Sequence, residues 1–191
     1  MGSRRTRFTL AIALMLALGG TSIAYAASRH HSKPADSNAE VFTAHLVGYN
    51  EAPANNSPAT GDLTLTVGNG QLSWSLTYQG FAAGNQPFVA HVHVGQPNVS
   101  GGVSFFFCGG TKPACPSSAS GPVTITGTTL PADVVGPTAQ EFAAGDLDSV
   151  IKAMEAGLTY ANMHTPAITA GEIRGQLVRG HHGGDSQGED D

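Results

Sequence analysis

Apolar and polar residues alternate with a period of two through much of this chain. In Gln71 to Gln79, Leu72, Trp74, Leu76 and Tyr78 fall on one face while Ser73, Ser75 and Thr77 fall on the other, the pattern of a half-buried strand. Gly61 to Val67 repeats it, with Leu63, Leu65 and Val67 inside and Asp62, Thr64 and Thr66 outside. Gly68-Asn69-Gly70 between them predicts a tight hairpin turn, because Gly and Asn accept the positive φ such turns demand. Val41 to Tyr49, Phe88 to Gly95, Val103 to Phe107, Val123 to Thr128 and Glu172 to Val178 read as further strands. Short strands separated by turn signals predict an all-β fold, an antiparallel Greek-key-like β-sandwich or partly closed barrel. One stretch breaks the period. From Thr138 to Ala156, Phe142, Leu147, Val150, Ile151 and Met154 recur at helical spacing. Asp146 and Asp148 are placed for a helix start and Gly157 for its end, so one helical insertion is expected near residues 146 to 156.

The ends read differently from the middle. Arg4, Arg5 and Arg7 precede an apolar run from Phe8 to Leu18, and Ala24-Tyr25-Ala26 supplies a small-x-small cleavage pattern, so residues 1–26 are expected to be a cleaved secretory signal peptide. The run is shorter than the roughly 20 apolar residues a membrane span needs. No cysteine lies near the cleavage site for a lipid anchor, so no stable membrane anchor is expected. Residues 27–39 and 180–191 are polar and without apolar periodicity, a disordered linker and a disordered His- and acid-rich tail. Between them residues 40–179 suffice for one domain with its own core. After the leader the chain keeps six Lys and Arg against fourteen Asp and Glu, a net charge of −8. That balance excludes the basic footprint of a nucleic-acid partner.

Two cysteines, Cys108 and Cys115, bracket a Gly- and Pro-containing loop. In an oxidising compartment they predict a disulfide closing a short hairpin loop. The remaining chemistry lies in histidines. In a strand His91 and His93 point to the same face, which sets two imidazoles side by side. His164 is the natural third, and three neutral imidazoles suit copper or zinc with an open fourth position. His45 is the only other histidine of the middle region. The plainer reading of the same residues is a hydrogen-bonded polar cluster that pins strands together. Glu51, Glu172 and Arg174 are expected beside them, Glu51 and Arg174 as an ion pair tying a loop to the last strand, with Glu172 and Arg174 sharing a polar face. There is no Gly-x-Ser-x-Gly elbow, no phosphate-binding glycine loop and no nucleotide fingerprint, so no catalytic residue is assigned and the residues point away from an enzyme.

Two separated motifs carry a family likeness. They are Ala90-His91-Val92-His93-Val94-Gly95 and Tyr160-Ala161-Asn162-Met163-His164-Thr165, the latter running into Gly171-Glu172-Ile173-Arg174-Gly175-Gln176-Leu177. Together with Glu51-Ala52-Pro53 upstream, this order resembles the CHRD domain, the module repeated in chordin and found singly in secreted bacterial proteins, over roughly Val41 to Val178. The resemblance implies a secreted or periplasmic, non-enzymatic binding or matrix module whose partner is an extracellular protein or surface ligand. More distantly, the His-x-His strand, late His and Gly-x-Arg strand resemble the copper half of Cu/Zn superoxide dismutase, although that family's zinc-loop histidines have no counterpart here. That second likeness implies the alternative, a small copper or zinc protein using His91, His93 and His164, redox active in a dismutase-like way.

Overall fold

The structure is a computed structural model and describes residues 39–180. The expected leader, and all but the edges of the expected polar linker and tail, lie outside the described residues. The described chain forms nine strands and one α-helix: β1 (Val41–Val47), β2 (Thr60–Gly68), β3 (Gln71–Gln79), β4 (Val89–Val94), β5 (Gly102–Cys108), β6 (Val123–Thr129), α1 (Leu147–Glu155), β7 (Thr159–His164), β8 (Ile173–Gln176) and β9 (Val178–Arg179). The strands pair antiparallel in the order β5-β4-β7-β8-β1-β2-β3-β6, with β9 added to β1. The two ends of this path, β5 and β6, approach within 8 Å, so the sheet curls into a nearly closed barrel. The all-β expectation with one helical insertion holds.

The alternation sets the register. Leu63 pairs with Leu76, Leu65 with Trp74 and Val67 with Leu72 across β2 and β3. All of these but Val67 are buried in one core. The hairpin turns on Asn69 and Gly70 alone, at φ 53° and 71°, the two positive values a two-residue turn of this twist requires. Trp74 from β3 meets Phe107 from β5 edge-on, ring centroids 4.9 Å apart, so the core is filled from both halves of the sheet. A cavity of about 310 Å³, lined by Trp74, Phe107, Pro113, Pro116 and Ile125, marks the seam where the barrel stays open.

The helix forms for the expected local reasons. Asp146 caps it by accepting the Ser149 N–H at 3.0 Å, and Leu147, Val150, Ala153 and Met154 make the buried face. It ends where the Leu158 N–H returns to the Ala153 carbonyl at 2.8 Å, a turn that hands the chain straight to β7.

Three expectations are corrected. Thr159–His164, expected only as a motif before a loop, is a full strand. Glu172 is not part of a strand; the last expected strand begins at Ile173 and breaks at Leu177 into β8 and β9. Cys108 and Cys115 are bonded, with Cα atoms 4.9 Å apart, but the loop they close is not a hairpin. The strands on either side of it, β5 and β6, are opposite ends of the sheet, and β5 pairs with β4 instead. The disulfide therefore shapes a loop that runs along the seam.

Candidate metal centre

Every residue of β4 is buried, for two different reasons. Ala90 and Val92 enter the apolar core, so His91 and His93 project from the opposite side of the sheet. That side is polar yet covered. On β7, Ala161 and Met163 go to the core while Tyr160, Asn162 and His164 join the histidines, and on β8 Arg174 and Gln176 do the same. Loops cover this face and are tied down by hydrogen bonds. Nη2 of Arg174 donates to the Gln96 and Val99 carbonyls at 3.0 and 3.1 Å, and the Gly101 N–H donates to the Tyr160 hydroxyl at 3.1 Å.

The pairing register places His91 opposite Asn162, His93 opposite Tyr160 and Val89 opposite His164. Two register shifts between β4 and β5, one just before His91 and one just before His93, re-aim the strand locally. As a result the His91 ring lies 4.4 Å from that of His93 and 4.7 Å from that of His164, centroid to centroid. One donor nitrogen from each of the three lies within 4.8 Å of the others.

Which nitrogens face one another follows from the hydrogen bonds. His93 Nδ1 is 2.8 Å from the Gly101 carbonyl, and His164 Nδ1 is 2.8 Å from the Thr169 carbonyl. A carbonyl only accepts, so each Nδ1 carries the proton and donates it, which leaves Nε2 with a free lone pair. Those two Nε2 atoms and His91 Nδ1 are buried without any hydrogen-bond partner. A buried nitrogen without a partner costs about 1 to 3 kcal/mol, so three together at one spot are an arrangement that a bound ligand would relieve. Burial also lowers all three histidines, His91 to about 3 and His93 to about 4, with neighbouring histidines adding to the effect on both. Neutral imidazoles are the form that binds metal.

The donor set fits an ion. Nitrogens sharing one metal at about 2.1 Å lie about 3.4 to 3.6 Å apart, so ring rotations moving each nitrogen by roughly 1 Å or less would close the site. The backbone carbonyls holding His93 and His164 are the outer partners that metal-ligating histidines usually have.

The other expected site residues divide. Glu51 and Arg174 are buried beside the centre, at 6% and 2% exposure. They are not an ion pair: among the described residues the pairs are His45–Asp62, Lys112–Asp133 and Arg179 with Glu40 and Glu155. Arg174 instead lies over the Tyr160 ring, its Cζ 3.4 Å from the centroid, and that ring stacks on His93 at 4.7 Å with 5° between planes. The Glu51 carboxyl packs against Gly171, where a Cβ would sit 2.5 Å from Oε1. Burial pushes it up to about 7, against the opposing pull of Arg174, Asn162 and the Ala52 backbone.

Glu172 faces a different cluster. It accepts from Ser57 at 2.7 Å, from Asn85 at 3.0 Å and from Thr165, and so ties three loops together. His45 is also remote in function, exposed on β1 and bonded to Asp62 at 2.7 Å. Asn162 and Tyr160 were not singled out by sequence, although the alternation Tyr160, Asn162, His164 would have flagged them once β7 was read as a strand.

The family model described as "CHRD domain" matches residues 42–177, most of the chain and all of β2 to β8. The chain belongs to the CHRD domain family. At family level this makes it a non-enzymatic, extracellular-type domain. The matched span holds His91, His93, His164, Glu51 and Arg174 together. No curated protein and no solved structure matches this CHRD chain. Among the described residues no helix is long and apolar enough to cross a membrane.

Proposed function

We propose that this CHRD chain is an exported, non-enzymatic binding module and that the ligand it holds is a copper or zinc ion on His91, His93 and His164. One observation carries the reading: three neutral imidazoles, His91 and His93 buried and His164 half-buried, present partnerless nitrogens to one point, two of them with their tautomer fixed by backbone carbonyls. A set that only pinned strands together would place those nitrogens on hydrogen-bond partners. The site would take the ion through Nε2 of His93 and His164 and Nδ1 of His91. Asn162 Oδ1, buried and also without a partner, on the residue that pairs with His91, is a candidate for a further polar contact. Export follows from the basic, apolar and small-x-small order of residues 1–26, and N-terminal sequencing of the mature protein would read from Ala27.

The test is metal retention. Protein stripped with chelator, exposed to copper or zinc and desalted should keep about one equivalent more than the triple variant His91→Ala, His93→Ala, His164→Ala. The variant keeps the histidines of both ends, so nonspecific uptake there cancels. Equal retention by the two folded proteins would make the centre a structural polar cluster.

A further inference from the structure

Arg174 is a buried cation without a counter-ion in reach. No carboxylate oxygen of the described residues lies within 4 Å of it, and Glu51 is felt only as a nearby charge. Buried charges are ordinarily paired, because taking a lone ion out of water costs several kcal/mol. The guanidinium has five N–H donors, and Nη2 alone reaches protein acceptors, the Gln96 and Val99 carbonyls. Nε and Nη1, with three donors, make no hydrogen bond to the described residues and are not among the buried atoms left without a partner, so they stay reachable from outside. Arg174 lines a cavity of about 120 Å³, and the rest of its wall is Asn50, Pro97, Asn98 and Gln176. Apart from Arg174 that wall is neutral and largely amide.

We infer that this cavity is an anion site, built for one small planar oxyanion of carboxylate or bicarbonate size gripped by Arg174. Three features converge on that class. The planar fork of a guanidinium matches a carboxylate edge two bonds at a time, which a halide cannot reproduce. The cavity has room for a few heavy atoms only. Around the cation stand amide side chains, which can donate to an oxyanion, and Gln176 Oε1, buried and without a partner, which would accept from a protonated oxygen such as that of bicarbonate. The chain is acidic overall, so long-range attraction does not favour anions and the selectivity must be local to Arg174. Tyr160 links the two sites, its ring meeting Arg174 from β8 and His93 from β4. The inference does not rest on the metal reading, since none of the groups it uses is a proposed ligand.

The test uses full-length protein kept metal-free with chelator, its melting midpoint followed in acetate, bicarbonate or phosphate against chloride at equal ionic strength. At about ten times the dissociation constant, acetate and bicarbonate should raise the midpoint by roughly 5 °C over chloride. Phosphate, bulkier and tetrahedral, should do less. Asn98→Asp places a carboxylate in the cavity at a position whose φ of 61° aspartate tolerates. It should melt higher than wild type in chloride and lose the response to acetate and bicarbonate. Arg174→Lys, which keeps the charge but not the fork, should weaken the response at least tenfold in concentration. Equal midpoints in acetate, bicarbonate and chloride, or a response undiminished in Asn98→Asp, would overturn the assignment.

Discussion

Metal-free protein should lose stability between pH 7 and pH 5, and Glu51→Gln should roughly double the loss. His91 and His93 are 5% and 8% exposed, and burial pushes them down to about 3 and about 4. In the unfolded chain each titrates near 6.5, about the ordinary value. Through the window between, the unfolded chain binds a proton that the folded chain refuses, so stability falls as pH falls. Integrated from pH 7 to 5 this costs about 2 kcal/mol for each histidine, about 4 kcal/mol for the two. The figure requires only that both folded values lie below 5. His164, lowered by burial as well, acts in the same direction. Glu51 acts in the opposite direction. Raised to about 7 in the fold and near 4.3 when unfolded, it takes up its proton first in the folded state, which adds about 2 kcal/mol as pH falls to 5. The wild type should therefore lose about 2 kcal/mol beyond the share of His164, and Glu51→Gln about 4 kcal/mol beyond it. Urea unfolding of both proteins at pH 7, 6 and 5, with chelator present, measures the difference directly. If the two stabilities shift in parallel, the Glu51 carboxyl is not gaining a proton in the fold. If neither falls, the histidines are not held neutral by burial and the argument for the site loses its electrostatic half.

Trp74→Ala should cost about 3 to 5 kcal/mol, read by denaturant unfolding with circular dichroism because the variant loses the chain's single Trp. An unchanged midpoint would mean that this face is not core. Reducing the Cys108–Cys115 bond, which spans a sequence separation of 7, should cost about 2.5 kcal/mol in the chain-entropy model and leave the domain folded. Ready alkylation of both thiols in native, unreduced protein would contradict the bond itself. Gly171→Ala should destabilise by more than about 1 kcal/mol, since φ is 129° and the new Cβ would meet the Glu51 carboxyl at 2.5 Å. A neutral effect would show that this carboxyl can move aside.

The parts of the fold that were legible in sequence are those where one face is dry and the other wet. β2 and β3 carry Leu63, Leu65, Trp74 and Leu76 inward and Thr64, Thr66, Ser73 and Ser75 outward, so alternation showed their faces, and the Asn-Gly turn between them sets the register. The helix was equally plain, because Asp146 caps it and a stripe of apolar residues recurs at helical spacing. β7 was hidden because neither of its faces is wet. Thr159 to Met163 are all buried, two of them against the apolar core and others against a buried polar layer, so Tyr160, Ala161, Asn162 and Met163 show no hydrophobic period to read.

The same physics explains why the centre was half legible. Strand periodicity put His91 and His93 on one face, and only the topology, with β7 hydrogen-bonded beside β4, brings His164 to them. Glu172 misled because a polar residue next to a strand was given the strand's alternation, whereas its carboxylate follows the loops it ties at Ser57, Asn85 and Thr165. Arg174 misled because a buried cation and a nearby carboxylate suggest a pair, yet its Nη2 donates to two backbone carbonyls and the guanidinium lies over the Tyr160 ring. What sequence cannot supply is which buried donors and acceptors remain unspent after folding. Here Glu40, Ser104 and Thr159 carry one each, and the rest, three imidazole nitrogens, the Asn162 and Gln176 carbonyls and one Glu51 oxygen, are grouped around the histidine centre. A polar layer kept for stability would have spent them on one another, so their coincidence argues that this face is shaped for something the chain does not itself contain.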